Sequence, residues 1–121
     1  MALYEERVAY APLILFEYDH DPGMYSLVLS DNHMVGVDGP FQAAGHEGGG
    51  YDWAGVARQI QQREQPALAG RFGMDPEAGM FVAFGEDLEA LQALAAELHA
   101  AFHDPERLTK LIAGADPGWF D

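Results

Sequence analysis

The stretch His46-Glu47-Gly48-Gly49-Gly50-Tyr51-Asp52-Trp53 decides where the first long helix begins and how the preceding chain enters it. Glycine accepts backbone angles that other residues avoid and permits close backbone approach. A triple glycine before a helix therefore predicts a turn with demanding geometry. Asp52 is the predicted N-cap, because its carboxylate can accept hydrogen bonds from the free amides of the first turn. Tyr51 and Val56 have the spacing of a hydrophobic staple around that cap.

An apolar pattern typical of one helical face begins at Trp53. Its members recur at the positions i, i+3, i+4 and i+7: Trp53, Val56, Ala57 and Ile60. The predicted helix runs from about Trp53 to Glu64 and is limited by Pro66. Aromatic residues at this spacing usually pack in the core, which favours a buried Trp53. The rival interpretation is an anion site at the glycines, but Glu47 and Asp52 would place negative charge where a phosphate would lie.

Length and composition fit one domain over residues 1–121, with a real hydrophobic core. There is no cysteine, which excludes disulfides and makes a cytosolic location the default. No apolar run approaches the ~20 residues of a membrane-spanning helix, and the N-terminus lacks a signal-peptide pattern. Twenty acidic residues face six basic ones, for a formal net charge of −14. Such a charge repels nucleic acid and anionic lipid and favours a cationic partner, although acidity also serves solubility.

The remaining pattern predicts an α+β fold in which helices pack on one face of an antiparallel sheet of about four strands. The predicted element order is ββαββαα. The four strands are predicted at residues 12–18, 24–29, 71–74 and 80–84. The first and the fourth are apolar on both faces, which favours burial within the sheet.

The later helices are predicted after Gly85 and from Asp104, the second with Asp104 as its N-cap. Residues 1–10 and 115–121 are expected to be loosely ordered. The segment 31–50 is predicted to be mostly irregular, and a long loop in a small domain is often functional.

The sequence contains no complete catalytic constellation. Ser26 and Ser30 fall in a predicted strand without a nucleophile elbow. Pairs of carboxylates are expected by chance among so many acids, so they are a weak signal of acid–base catalysis. His99 and His103 have a spacing that can present two imidazoles to one metal ion, but no third ligand is identifiable. The sequence therefore predicts no enzyme, no metal site and no cofactor, and it lacks a basic patch for nucleic acid.

Two motifs together resemble a known family. Gly48-Gly49-Gly50-Tyr51-Asp52-Trp53 leads into a helix, and Asp75-Pro76-Glu77-Ala78-Gly79-Met80-Phe81 leads through a strand into the acidic helix start at Asp87. This combination resembles the bacterial immunity protein 51 family of polymorphic toxin systems, over roughly residues 12–112. The resemblance implies a small cytosolic α+β protein that protects its producer by binding a cognate toxin, and it carries over no catalytic residues. The residues expected to define the fold are Gly48, Gly49, Gly50, Asp52 and Trp53.

The resulting hypothesis is a protein that occludes a toxin, for example a basic nuclease, through an acidic surface. The partner-binding residues are predicted near the 31–50 segment and at the end of the first hairpin: Glu17, Asp19, Asp21, Asp31, Asp38, Glu47 and Tyr51. The predicted partner is a protein, not a nucleic acid or a membrane, and no oligomeric state is indicated. Two alternatives stay open: a small ligand-binding or enzymatic domain that uses the Gly48–Gly50 loop and nearby acids, and an accessory subunit of another assembly.

Overall fold

The sheet has five antiparallel strands in the order β1-β2-β3-β5-β4, in a computed structural model that describes residues 3–120. The strands are β1 Glu5–Glu6, β2 Ile14–Glu17, β3 Tyr25–Ser30, β4 Gly73–Met74 and β5 Met80–Gly85. The predicted α+β class is confirmed, and each of the four predicted strands is present. The first and third are shorter than predicted, whereas the second is shifted by one residue and the fourth extends to Gly85. The additional strand is β1, at the edge of the sheet beside β2.

Within residues 3–120, five α-helices accompany the sheet: α1 Asp31–Met34, α2 Gly39–Ala43, α3 Gly50–Gln59, α4 Leu88–Phe102 and α5 Pro105–Gly114. A π-helical stretch, Ile60–Glu64, continues α3 to the predicted end of that helix. The two C-terminal helices begin as predicted. Asp87 accepts a hydrogen bond from the amide of Ala90, and Asp104 accepts hydrogen bonds from two amides in the first turn of α5.

The segment 31–50 is not the irregular loop that the sequence predicts. It folds into α1, a 3-10 turn at Val35–Val37, and α2. Each short helix anchors itself by one buried apolar side chain, Met34 in α1 and Phe41 in α2. Helices this short depend on tertiary packing, and they are too short to show the periodicity that predicts a helix over 11 or more residues.

Both ends of the described chain contact the rest of the domain. Near the N-terminus, β1 pairs with β2, and the ring of Tyr4 meets that of Tyr25 at a centroid distance of 6.1 Å. Near the C-terminus, Phe120 is buried and stacks on His46, with ring centroids 4.3 Å apart. Met1, Ala2 and Asp121 lie outside the described residues. These strand-pairing and aromatic contacts join residues far apart in the chain, so local sequence patterns do not report them.

The two faces of the sheet have different surroundings. We call the face that meets α3 and α4 the inner face. Its central side chains are completely buried: Leu15, Leu27, Leu29, Phe81 and Ala83. The side chains that alternate with them point the other way, onto what we call the outer face, where most stay partly exposed. The helices therefore pack on one face of the sheet, as predicted.

Candidate partner-binding surfaces

The triple glycine forms the junction between the start of α3 and the turn that joins β4 to β5. The amide of Gly50 donates a hydrogen bond to the carbonyl oxygen of Ala78 at 3.0 Å. A Cβ on Gly49 would lie 2.7 Å from that same oxygen, and a Cβ on Gly50 would overlap the carbonyl oxygens of Glu77 and Met80. Two backbone segments thus meet at a distance that only glycine permits.

Asp52 closes this junction from inside the helix. The N-cap of α3 is Gly49, so Asp52 occupies the third helical position and is not the predicted N-cap. Its Oδ2 accepts hydrogen bonds from the amides of Gly48 at 2.6 Å and Gly49 at 3.2 Å. An acid at this position bonds back to the amides that precede the helix, as in a capping box. Glycine at the N-cap has no side chain to do so, which is why the acid three residues later supplies the acceptor.

Trp53 is buried completely, as the helical pattern predicts. Its ring lies 5.4 Å from the ring of Phe41 and 6.1 Å from that of Phe102, centroid to centroid. The predicted staple between Tyr51 and Val56 is wrong, because Tyr51 is 45% exposed whereas Val56 is buried. Since α3 begins at Gly50, both residues lie within the helix and point in different directions.

A surface cavity of about 290 Å³ lies beside the junction, and Glu47 and Tyr51 form part of its wall. The backbone amides that a phosphate would need are already engaged. Asp52 accepts from the first two glycine amides, and Ala78 accepts from the third. The geometry therefore disfavours the interpretation of the Gly48–Gly50 loop as an anion site.

The predicted partner-binding residues separate into two groups at opposite ends of β3. Asp19 and Asp21 are exposed in the turn between β2 and β3, and Glu17 precedes them. The other group lies at the glycine junction: Asp31, Asp38, Glu47 and Tyr51. A six-residue strand separates the two groups by about 17 Å, at about 3.4 Å per residue. The acids therefore do not form one continuous patch.

Comparison with known proteins identifies the family. A family model described as immunity protein 51 matches residues 13–117. The chain belongs to the immunity protein 51 family. No curated protein and no solved structure gave a match.

In this immunity protein 51 family member, the two motifs that carry the resemblance contact each other. The second motif forms the β4–β5 turn, and this turn packs against Gly49 and Gly50 of the first motif. Their separation along the sequence hides this contact. The motif glycines, Asp52 and Trp53 therefore have clear structural tasks, whereas the side chain of Tyr51 remains accessible to a partner.

Glu17 also has a structural task. Its Oε1 accepts a hydrogen bond from the amide of Tyr4 at 3.0 Å, and its Oε2 accepts one from the amide of Gly23 at 2.7 Å. It thereby connects the N-terminal segment with the tip of the β2–β3 hairpin. These two backbone hydrogen bonds hold the pKa of Glu17 below its ordinary value of 4.5, and the bond from Tyr4 has the larger effect. A carboxylate engaged in this way is less available to a partner than those of Asp19 and Asp21.

A Glu17→Gln variant is expected to lose less stability in acid than the parent protein does. The pKa of Glu17 is lowered on folding, so its carboxylate stabilises the protein above the unfolded pKa of 4.5. That contribution disappears as the pH falls through the lower folded pKa. The urea midpoints of parent and variant should differ at neutral pH and converge in acid, as the pH falls below 4.5 and through the lower folded pKa of Glu17. Glu47→Gln, at an exposed glutamate, is the matched control. A difference in urea midpoint between Glu17→Gln and the parent that persists in acid would contradict the expectation.

His99 and His103 both contact the backbone of the segment before β2. Nδ1 of His99 lies 3.0 Å from the carbonyl oxygen of Ala11, and Nε2 of His103 lies 2.8 Å from it. Among residues 3–120, no group of three His, Cys, Asp or Glu side chains could hold a metal ion. The pair therefore connects the end of α4 to the N-terminal segment.

None of the helices in the same described range is long and apolar enough to cross a lipid bilayer.

The sequence patterns did not lead to the outer face of the sheet as a candidate partner-binding surface. The signal was visible, because the first and fourth predicted strands are apolar on both faces. That pattern is typical of strands buried on both sides. In the structure one of the two apolar faces is open, as shown by Phe84, which is 37% exposed.

Proposed function

We propose that this protein neutralises a cognate toxin by binding to it and covering the surface that the toxin needs for its activity. The observation that carries the proposal is membership of the immunity protein 51 family over residues 13–117. The proposed site of action is the cytoplasm of the producing bacterium, in keeping with a chain that has no cysteine. The proposed mechanism is occlusion and requires no catalytic step by this chain.

The charge of the protein supports a basic toxin. The chain has 20 acidic and 6 basic residues, and several of the basic ones are already paired within the molecule. Arg7 contacts Glu5, Arg71 contacts Asp87, and Arg107 contacts two glutamates. Most of the acidic excess therefore remains available to a partner. Many nucleases are basic because their substrate is anionic, and opposite charges speed the encounter of two proteins.

The test of the function uses the purified product of the toxin-domain gene next to the gene for this chain. We expect the two proteins to co-purify and the toxin to lose its activity at equimolar ratio. If the parent chain neither co-purifies with that product nor inhibits it, the proposed function is contradicted. A metabolic operon around the gene would favour the alternative of a ligand-binding or enzymatic domain.

Neutralising the acids at the glycine junction should slow toxin association. The variant combines Asp31→Asn, Asp38→Asn and Glu47→Gln, and its association rate at low salt should fall by about threefold to tenfold. Dissociation should change little, because exposed charges mainly affect encounter. Raising the salt concentration should reduce the difference between variant and parent, since salt screens exposed charges. The measurement is the association rate over a salt series.

A matched control separates local charge from total charge. The control variant combines Glu64→Gln, Glu89→Gln and Glu106→Gln, which changes the net charge by the same amount at other surfaces. It should slow association less than the junction variant does. A rate that is independent of salt and unaffected by the junction variant would mean that the acidity serves solubility alone.

A further inference from the structure

The outer face of the sheet presents a continuous apolar surface. Strand register places Ile14, Val28 and Val82 in one row, and Phe16 and Phe84 in the next row on either side of Ser26. Tyr18 follows the end of β2 and continues the apolar surface beyond the second row, with its ring centroid 5.5 Å from that of Phe16. Met80, the first residue of β5, lies at the opposite end of the face. All of the apolar residues of the outer face are partly exposed: Ile14, Phe16, Tyr18, Val28, Met80, Val82 and Phe84.

This surface departs from the usual pattern of a sheet with one open face. An antiparallel sheet covered on one side normally carries polar residues on the other. Here the central polar residue of the outer face, Ser26, is itself buried between its neighbours. The ring of Phe84 spreads over Gly73, where an added Cβ would lie 2.7 Å from the ring. Large exposed apolar surfaces on soluble proteins usually mark interaction sites.

Acidic side chains surround the outer face. At one edge, Glu5 lies opposite Phe16, and at the other edge the amide of Asp75 donates to the carbonyl oxygen of Val82 at 3.0 Å. Further acids lie at the two ends of the face. Asp19 and Asp21 are in the β2–β3 turn at one end. At the other end, Asp31 follows the last residue of β3, and Glu77 pairs with Met80, the first residue of β5. Of these acids, Glu5 contacts Arg7, and Oδ1 of Asp19 lies 3.5 Å from Nδ1 of His20. The surface is thus apolar in its centre and acidic at its rim.

The outer face is better suited to binding than the edges of the sheet are. Both edge strands, β1 and β4, are only two residues long. Short edge strands offer few unpaired backbone groups and so discourage the addition of a strand from another chain. A partner would therefore contact the side chains of the outer face.

We propose that the outer face of the sheet binds the toxin, and that the toxin contributes an apolar patch surrounded by lysine and arginine side chains. This inference rests on the proposed function. Charge complementarity selects the occupant: a second copy would bring two proteins of net charge −14 together with their acidic rims opposed. A cationic partner instead satisfies the rim while its apolar patch covers the centre, which is the usual arrangement of a protein–protein interface.

The decisive variant is Val28→Thr/Val82→Thr, which adds two hydroxyl groups to the centre of the outer face. Threonine keeps the branched shape and the strand preference of valine, so the sheet should still form. The matched control is Val8→Thr/Val35→Thr, at valines that are 82% and 71% exposed elsewhere on the surface. With the neighbouring-gene product as probe, the dissociation constant should rise at least about tenfold for the outer-face variant, mainly through faster dissociation. The control should stay within about twofold of the parent.

Footprinting of the parent protein tests the same surface without any substitution. Hydroxyl radicals modify exposed aromatic and methionine side chains, so toxin binding should protect Phe16, Tyr18, Met80 and Phe84. Tyr51, at the glycine junction, is the internal reference and should stay reactive. Protection of Tyr51 in place of the outer face would overturn the inference.

The outcomes distinguish this inference from the proposed function. Failure of the parent chain to bind the toxin would contradict the function itself. Binding that the outer-face variant leaves unchanged, without protection of the outer face, would overturn the inference and leave the function standing. A chain that sediments alone as a dimer, and becomes a monomer in the outer-face variant, would show that a second copy occupies the surface and would also overturn it.

Discussion

Replacing Gly50 with alanine is expected to destabilise the protein by about 3 kcal/mol or more, the upper end of the range for overpacking. The new Cβ would overlap the carbonyl oxygens of Glu77 and Met80. These are backbone atoms, so they cannot rotate away as the end of a flexible side chain can. Relief requires movement of the whole β4–β5 turn, which would break the hydrogen bond from Gly50 to Ala78. Since small domains are only marginally stable, much of the protein should unfold.

The matched control for this substitution is Gly36→Ala. Gly36 lies in the 3-10 turn Val35–Val37, and a Cβ there would meet no atom within 4 Å. It should leave stability unchanged or raise it by up to about 1 kcal/mol, since alanine restricts the unfolded chain more than glycine does. Urea unfolding followed by circular dichroism measures both variants. Equal stability of the Gly50→Ala variant and the parent would show that the junction is not closely packed.

Replacing Trp53 with alanine should cost about 3–5 kcal/mol, the usual loss for a large buried aromatic residue. The indole is completely buried and packs against Phe41 and Phe102, so its removal leaves a cavity between α2, α3 and α4. Its Nε1 has no hydrogen-bond partner among the described residues. A Trp53→Phe variant should therefore be much less destabilised, because it removes that unpaired group together with only part of the apolar volume.

The control for Trp53 is Tyr51→Ala, two residues earlier on the same helix. Because Tyr51 is 45% exposed, its truncation should cost less than about 1 kcal/mol of stability. Thermal and urea unfolding would compare the three variants with the parent. A Trp53→Ala protein that stays fully folded but no longer binds the toxin would show that Trp53 is a contact residue and not a core residue.

Local patterns in the sequence were sufficient for the elements that stabilise themselves locally. The cap at Asp104 lies where its sequence signal predicts, and α4 begins in the acidic stretch after Gly85, as predicted. The two motifs also led to the correct family. Local patterns failed for α1 and α2, each of which is held by a single buried residue, Met34 or Phe41. The free energy that forms these helices comes from distant parts of the chain.

The candidate site was less accessible to sequence reasoning than the fold was. The sequence predicts seven partner-binding residues, and the structure places them in two groups at opposite ends of β3. Glu17 is engaged by backbone amides, whereas Asp19 and Asp21 lie at the rim of the outer face. The outer face itself was missed, because an apolar strand looks the same in sequence whether a helix covers its second face or solvent does.

The sequence by itself determined that residues 48–50 allow unusually close backbone approach, that Trp53 belongs to the core, and that the surface is strongly acidic. These properties follow from the chemistry of individual side chains and from short-range periodicity. Tertiary structure alone decided that the β4–β5 turn is what approaches the glycines, and which strand residues form the open, apolar outer face of the sheet. The physical reason is that both outcomes depend on contacts between residues far apart in the chain, whose pairing is set by the packing of the whole core.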